Sequence, residues 1–144
     1  MKNWENLWPN TIGKIEVNPP VQLLAKQAEY FNEMMQNVLV AKIHSHEGKF
    51  GVGNGVVHEL RITASTFGMY SLTVLRMVHD TIGLYPVSIY DAIQDKKFEH
   101  IPGEKELQDV LRDVLGSDEL NRAISTIKAQ ATFESAVITE DLPF

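Results

Sequence analysis

The chain has no cysteine among its 144 residues. That excludes disulfides and thiolate metal centres and makes a reducing compartment its natural setting. It lacks any apolar run approaching the ~20 residues a membrane helix needs. Residues 1–8 are polar and aromatic rather than a secretory apolar core. A cytoplasmic protein without a membrane partner is therefore expected. An excess of positive charge is missing too: the formal net charge is −6, which argues against broad nucleic-acid binding through phosphates. Repeats, low-complexity tracts and linkers are absent, so residues 1–144 read as one domain, long enough to bury roughly 70% of the surface of the unfolded chain.

The charge that is present is uneven. Residues 38–79 carry Lys42, Lys49, Arg61 and Arg76 against Glu47 and Glu59, whereas the acidic excess lies mostly in residues 99–144. The middle of the chain is thus the less acidic part and the C-terminal helices the acidic one.

Residues 1–17 hold Trp4, Leu7, Trp8 and Pro9, then Ile12, Ile15 and Val17 in short alternation. They read as an N-terminal arm or an edge strand. Each tryptophan ring buries a large area, so the arm either covers an edge of the core or binds a partner. Asn18-Pro19-Pro20 starts a helix, as an N-cap residue followed by proline at the first helical position. That helix runs to about Asn37, with Val21, Leu24, Ala28, Phe31 and Met35 forming an apolar stripe.

Val38–Glu47 and Val56–Ser65 read as strands, being rich in β-branched residues. The Gly-rich segment between them contains Asn54-Gly55, the dipeptide that best suits a type I′ turn. A turn there sets a register in which Ile43 lies near Thr66. By alternation it sorts the strands into two faces. One collects Leu39, Ala41, Ile43 and Ser45 with Leu60, Ile62 and Ala64. The other collects Lys42, His44 and His46 with Glu59, Arg61, Thr63 and Ser65. Met69–Val78 and Tyr85–Tyr90 are further strands, Pro86 placing the latter at its start or at an edge. Residues 91–103 read as a charged loop. Helices follow over Glu104–Leu115 and from a Ser117 cap to about Ala131, and then an apolar tail over 132–144, for which the core, a neighbouring subunit or another partner are the candidate docking sites. The fold class is α+β: an N-terminal helix, an antiparallel sheet of about four strands around a central hairpin, and two C-terminal helices.

Four constellations could carry chemistry. His44 and His46 sit two apart on one strand face, as paired imidazoles do in sheet-borne metal sites. Glu59 shares their face, though several residues away along the ladder, and His58 does not, so ordinary polar-face histidines are the better account of the pair. His79-Asp80-Thr81 resembles the His-x-Thr of two-histidine phosphodiesterases, but that chemistry needs a second copy and the chain has none, so a strand-terminal turn is the better account. Gly51-x-Gly53-x-Gly55 precedes no helix, so it is not a dinucleotide fingerprint, and it lacks Gly-Lys-Ser/Thr, so it is not a P-loop; it reads as a flexible hairpin tip, with an adaptable lid over a ligand as the alternative. Lastly, Lys42, His44, His46, Arg61, Thr63 and Ser65 put cations and hydroxyls on one face, a donor set suited to an anionic ligand. The ordinary alternative is a solvated outer face, common in antiparallel sheets.

Pro20-Val21-Gln22-Leu23-Leu24 opening a helix, Leu84-Tyr85-Pro86-Val87 starting a strand and Ile127-Lys128-Ala129-Gln130 closing a helix give residues 19–131 a pattern that resembles small uncharacterised bacterial or phage-type domains. The resemblance implies no activity and assigns no residue a role. The residues themselves lead to the expectation of a non-enzymatic, self-associating protein that binds a small anionic ligand, a nucleotide-like one among the candidates, on the polar face or at a subunit interface, with no cofactor. The alternatives are a protein-binding adaptor or inhibitor using the tryptophan arm and apolar tail, and a metal-dependent enzyme centred on His44 and His46.

Overall fold

In the computed structural model, residues 3–50, 53–64 and 71–139 are described. Among them the chain forms, in order, α1 (Pro20–Met34), β1 (Leu39–Phe50), β2 (Gly53–Ala64), β3 (Ser71–Asp80), β4 (Val87–Asp91), β5 (Lys96–Ile101), α2 (Glu104–Leu115) and α3 (Asp118–Thr139). The strands make one antiparallel meander in sequence order. The α+β class stands, with five strands where four are expected.

α1 begins one residue later than Asn18 would set it, with Pro19 as N-cap (φ −61°, ψ 142°) and Pro20 at the first helical position. Its buried Leu24 and Ala28 lie against β1 and β2. The helix ends at Met34, and Gln36 and Asn37 then turn through left-handed backbone. α2 spans the expected residues. Gly116 is its C-cap, where glycine is favoured because a Cβ would come within 2.8 Å of the Arg112 carbonyl oxygen. Ser117 caps α3, its hydroxyl accepting from the Leu120 amide at 3.2 Å. α3 continues through Thr132 to Thr139, where a tail was expected. Residues 140–144 lie outside the described residues.

The central hairpin corrects the sequence reading. β1 and β2 pair all the way to Phe50 opposite Gly53, so Asn54 and Gly55 are inside the ladder opposite Lys49 and Gly48. Ile43 faces Leu60, not Thr66. This pairing sets Leu39, Ala41 and Ile43 directly against Ala64, Ile62 and Leu60, apolar against apolar, which outweighs the turn preference of one dipeptide. The shift is an even number of residues, so each side chain keeps its face.

Two bulges complete the sheet. Between Leu60 and Arg61 the β2–β3 register slips, leaving Val74 as the extra residue; Val74 and Leu75 are both buried. The Val74 carbonyl accepts from the Ala92 amide at 3.1 Å. Between Val87 and Ile89 the slip lies in β5, where His100 has φ 57°. That extra residue brings Phe98 and Ile101, three apart, both towards the core.

Among the described residues, the helices cover one face of the sheet. Leu24, Ala28, Leu107, Leu111, Val114 and Leu120 pack on Ala41, Leu60, Ile62, Leu75, Met77, Val87 and Ile89. The edge of β1 is tied to α1 by Asn32: its Oδ1 accepts from the Ala41 amide at 2.6 Å, and its Nδ2 donates to the Ala41 carbonyl at 3.1 Å. The arm, residues 3–19, forms no strand; apart from turns over residues 10–13 it is irregular and exposed. Of the arm and the edge strand expected here, the edge strand does not form. No helix among the described residues is long and apolar enough to cross a membrane.

Candidate functional site: the open sheet face and a serine–histidine relay

The face turned away from the helices is built by strict cross-strand registry. His44, Glu59, Arg76, Tyr90 and Lys97 stand opposite one another in a single row across all five strands. A neighbouring row sets Lys42 opposite Arg61 and Arg61 opposite Thr73, and Thr63 lies beyond it opposite Ser71. On the other side, His46, Val57, Val78 and Ser88 line up. Lys42, His44, His46, Arg61 and Thr63 therefore share this face, as alternation requires, and Arg76 joins them. Ser65 lies outside the described residues.

Glu59 organises the centre. Only 7% of it is exposed, and both oxygens are engaged: Oε2 accepts from Arg61 Nε at 2.9 Å, and Oε1 from Arg76 Nε at 2.9 Å. The Arg76 guanidinium, with that of Arg61, holds the carboxyl below its ordinary range, although burial works in the opposite direction. A carboxylate locked between two guanidinium groups is not available to a metal, so Glu59 does not complete a set with His44 and His46. Among the described residues no three His, Asp or Glu side chains gather in a metal-binding group.

Arg61 and Arg76 remain about two-fifths exposed. Each gives its Nε to Glu59 and keeps further N–H donors for other acceptors. Arg76 also stacks over the Tyr90 ring at 5.7 Å, and the Tyr90 hydroxyl donates to Asp95 at 2.7 Å. The guanidinium groups are thus held in place by contacts within the face itself. With Lys42 and Lys97, the open face carries four cations around one buried carboxylate, in a chain of net charge −6.

A second constellation lies on the opposite, helix-covered side, where the apolar face runs out towards the hairpin end. Ser45 stands opposite His58 across β1–β2, and its hydroxyl lies 2.6 Å from His58 Nδ1. His58 Nε2 lies 3.0 Å from His79 Nε2, the two rings stacked at 5.1 Å. His79 Nδ1 lies 2.7 Å from the Asp80 carbonyl. A carbonyl only accepts, so with both rings neutral the protons have one arrangement. His79 Nδ1–H donates to Asp80, His58 Nε2–H donates to His79, and Ser45 Oγ–H donates to His58. Burial, then His79 and His46, keeps His58 less basic than usual. The histidine expected to face away from His44 and His46 does so, but it is not alone.

Sequence reasoning missed this relay. Alternation put Ser45 and His58 on one side of the sheet, but no spacing signal brings His79 to them, because the β2–β3 register is set by a bulge.

No family model matches the chain, and neither a curated protein nor a solved structure matches it. The functional reading therefore rests on the geometry of these surfaces.

Proposed function

We propose that this protein is a non-enzymatic, self-associating binding protein that takes a small anionic ligand, nucleotide-like in its phosphate charge, on the open face of its sheet. The observation that carries the reading is the pair Arg61–Arg76, aimed from below by buried Glu59, beside Lys42. Planar N–H forks held in place lose little conformational freedom on meeting a phosphate or carboxylate. The open, shallow shape of the face suits contacts to a charged group better than enclosure of an apolar body.

Titration calorimetry with adenosine triphosphate and with inorganic pyrophosphate tests it. Lys42→Glu and Lys97→Glu, both exposed and outside the Glu59 network, are expected to weaken binding at least about tenfold together, which is ~1.4 kcal/mol. Affinity is also expected to fall as salt rises. Undiminished affinity in the double variant would move the site elsewhere.

A second reading, a protein-binding adaptor or inhibitor, has its own support. Trp4, Leu7, Trp8, Ile12, Ile15 and Val17 are all exposed on the arm, far more apolar surface than an isolated segment ordinarily leaves in water. Phe133 on α3 is exposed as well. The metal-dependent enzyme loses its third ligand once Glu59 is committed to the two arginines.

A further inference from the structure

Between α1 and α3 the helical layer is not closed. A cleft of about 170 Å³ descends from Tyr30 and Met34 on α1, past Ile124 on α3, to a floor of Ala41, Leu60 and Val74 on the sheet. Its lining is almost wholly apolar. An apolar cavity of roughly 150 Å³ accommodates a benzene ring, so this one fits a single aromatic side chain. At its mouth Met34 is 70% exposed and Tyr30 is 47% exposed.

The same molecule carries rings that lie outside its own core. Trp4 is 86% exposed and Trp8 70% exposed, and these are the chain's only two tryptophans. We infer that the N-terminal arm of one copy docks in the α1–α3 cleft of a second copy, with a tryptophan seated in the cleft and Leu7, Ile12 and Ile15 lying along the rim of α1.

Three observations select a second copy as the occupant. Area is the first. At ~150–250 Å² for each aromatic side chain, the arm's two tryptophans and four aliphatic side chains offer on the order of 800 Å². That is the share one partner contributes to a standard interface, and a two-fold exchange makes it twice over with one self-complementary contact. Geometry is the second. Pro19 is extended and Pro20 opens α1, and consecutive prolines are stiff. They join the arm to the N-terminal end of α1, whereas the cleft lies two to four turns further along the helix, between Gln27 and Met34. Chemistry is the third: an aromatic anchor entering a ring-sized apolar pocket, bordered by further apolar contacts, is how interface energy is usually concentrated. This contact supplies the self-association in the reading above and stands without the anion site.

The tryptophans report on their own docking. Sedimentation and tryptophan emission are measured over the same dilution series of the full chain. The expected result is a dimer at micromolar concentration with blue-shifted, poorly quenched emission. On dilution the mass should halve and the emission shift to the red together. Trp8→Ala combined with Trp4→Phe, and separately Met34→Glu at the exposed mouth of the cleft, should each raise the dissociation constant at least tenfold while leaving circular dichroism unchanged. A monomer at every concentration overturns the inference, whether its tryptophans are exposed or buried in its own cleft. So does a dimer whose tryptophans stay open to quencher, or one that survives both variants. Anion titration reads none of these outcomes, so failure here and failure of the anion site are separate results.

Discussion

At the scale of single residues, two buried titratable groups set the pH behaviour. Glu59 has its pKa lowered from 4.5 by Arg76 and Arg61. The unfolded chain therefore takes up the proton first. The stability this pair of contacts contributes is complete above about pH 4.5 and is lost as pH falls through the lower folded value. Glu59→Gln should cost about 1–3 kcal/mol at neutral pH, because it leaves two guanidinium groups side by side over a buried neutral amide, and the acid limb of the stability curve should flatten. Urea denaturation from pH 3 to 7 reads both effects. His58 acts in a higher window. Its pKa is lowered from 6.5 by burial, His79 and His46, so stability declines as pH drops below about 6.5 towards the folded value. Protonation at His58 Nδ1 also takes away the acceptor for Ser45. His58→Asn should remove that decline between pH 5 and 7 without altering the Glu59 limb. A decline that persists in His58→Asn would mean that another group carries it.

At the scale of elements, the edge of β1 depends on one side chain of α1. Asn32 both donates to and accepts from Ala41, which marks Ala41 as a residue whose backbone polar groups face outward from the sheet. Asn32→Asp keeps the acceptor and loses the donor, and is expected to cost about 1 kcal/mol; Asn32→Leu loses both and is expected to cost about 1–3 kcal/mol. Thermal unfolding compares the two, and equal stability of all three proteins would contradict this role. The elements also show what could be read from the chain. α2 was legible to the residue because Leu107, Leu111 and Val114 repeat with helical spacing and Gly116-Ser117 ends one helix and caps the next. The two faces of β1 and β2 were legible because alternation survives an even register shift. The turn was not, since Asn54-Gly55 is a local preference and the apolar match of Ile43 with Leu60 is a long-range one. β5 was not, because the bulge at His100 breaks alternation between Phe98 and Ile101, and Lys96-Lys97 gives this edge strand the composition of a loop. In the site, the cationic residues were visible from their parity, whereas the clamping of Glu59 by Arg76 and the approach of His79 to His58 depend on β3 pairing that one sequence does not reveal.

The whole molecule has two sides with different chemistry. The helix-covered side closes the core and leaves an apolar cleft. The open side carries Lys42, Arg61, Arg76 and Lys97 around a buried carboxylate. Nothing in the core chemistry requires such an outer face: a solvated sheet surface is satisfied by mixed charges with no buried carboxylate beneath. The most direct test is an amide-resolved NMR titration with inorganic pyrophosphate and adenosine triphosphate. The predicted result is a set of saturable shifts confined to the sheet, centred on Lys42, Arg61 and Arg76 and extending to Tyr90 and Lys97, with α2 and α3 unmoved. Absence of saturable shifts, or shifts centred on the helices, would contradict the central claim.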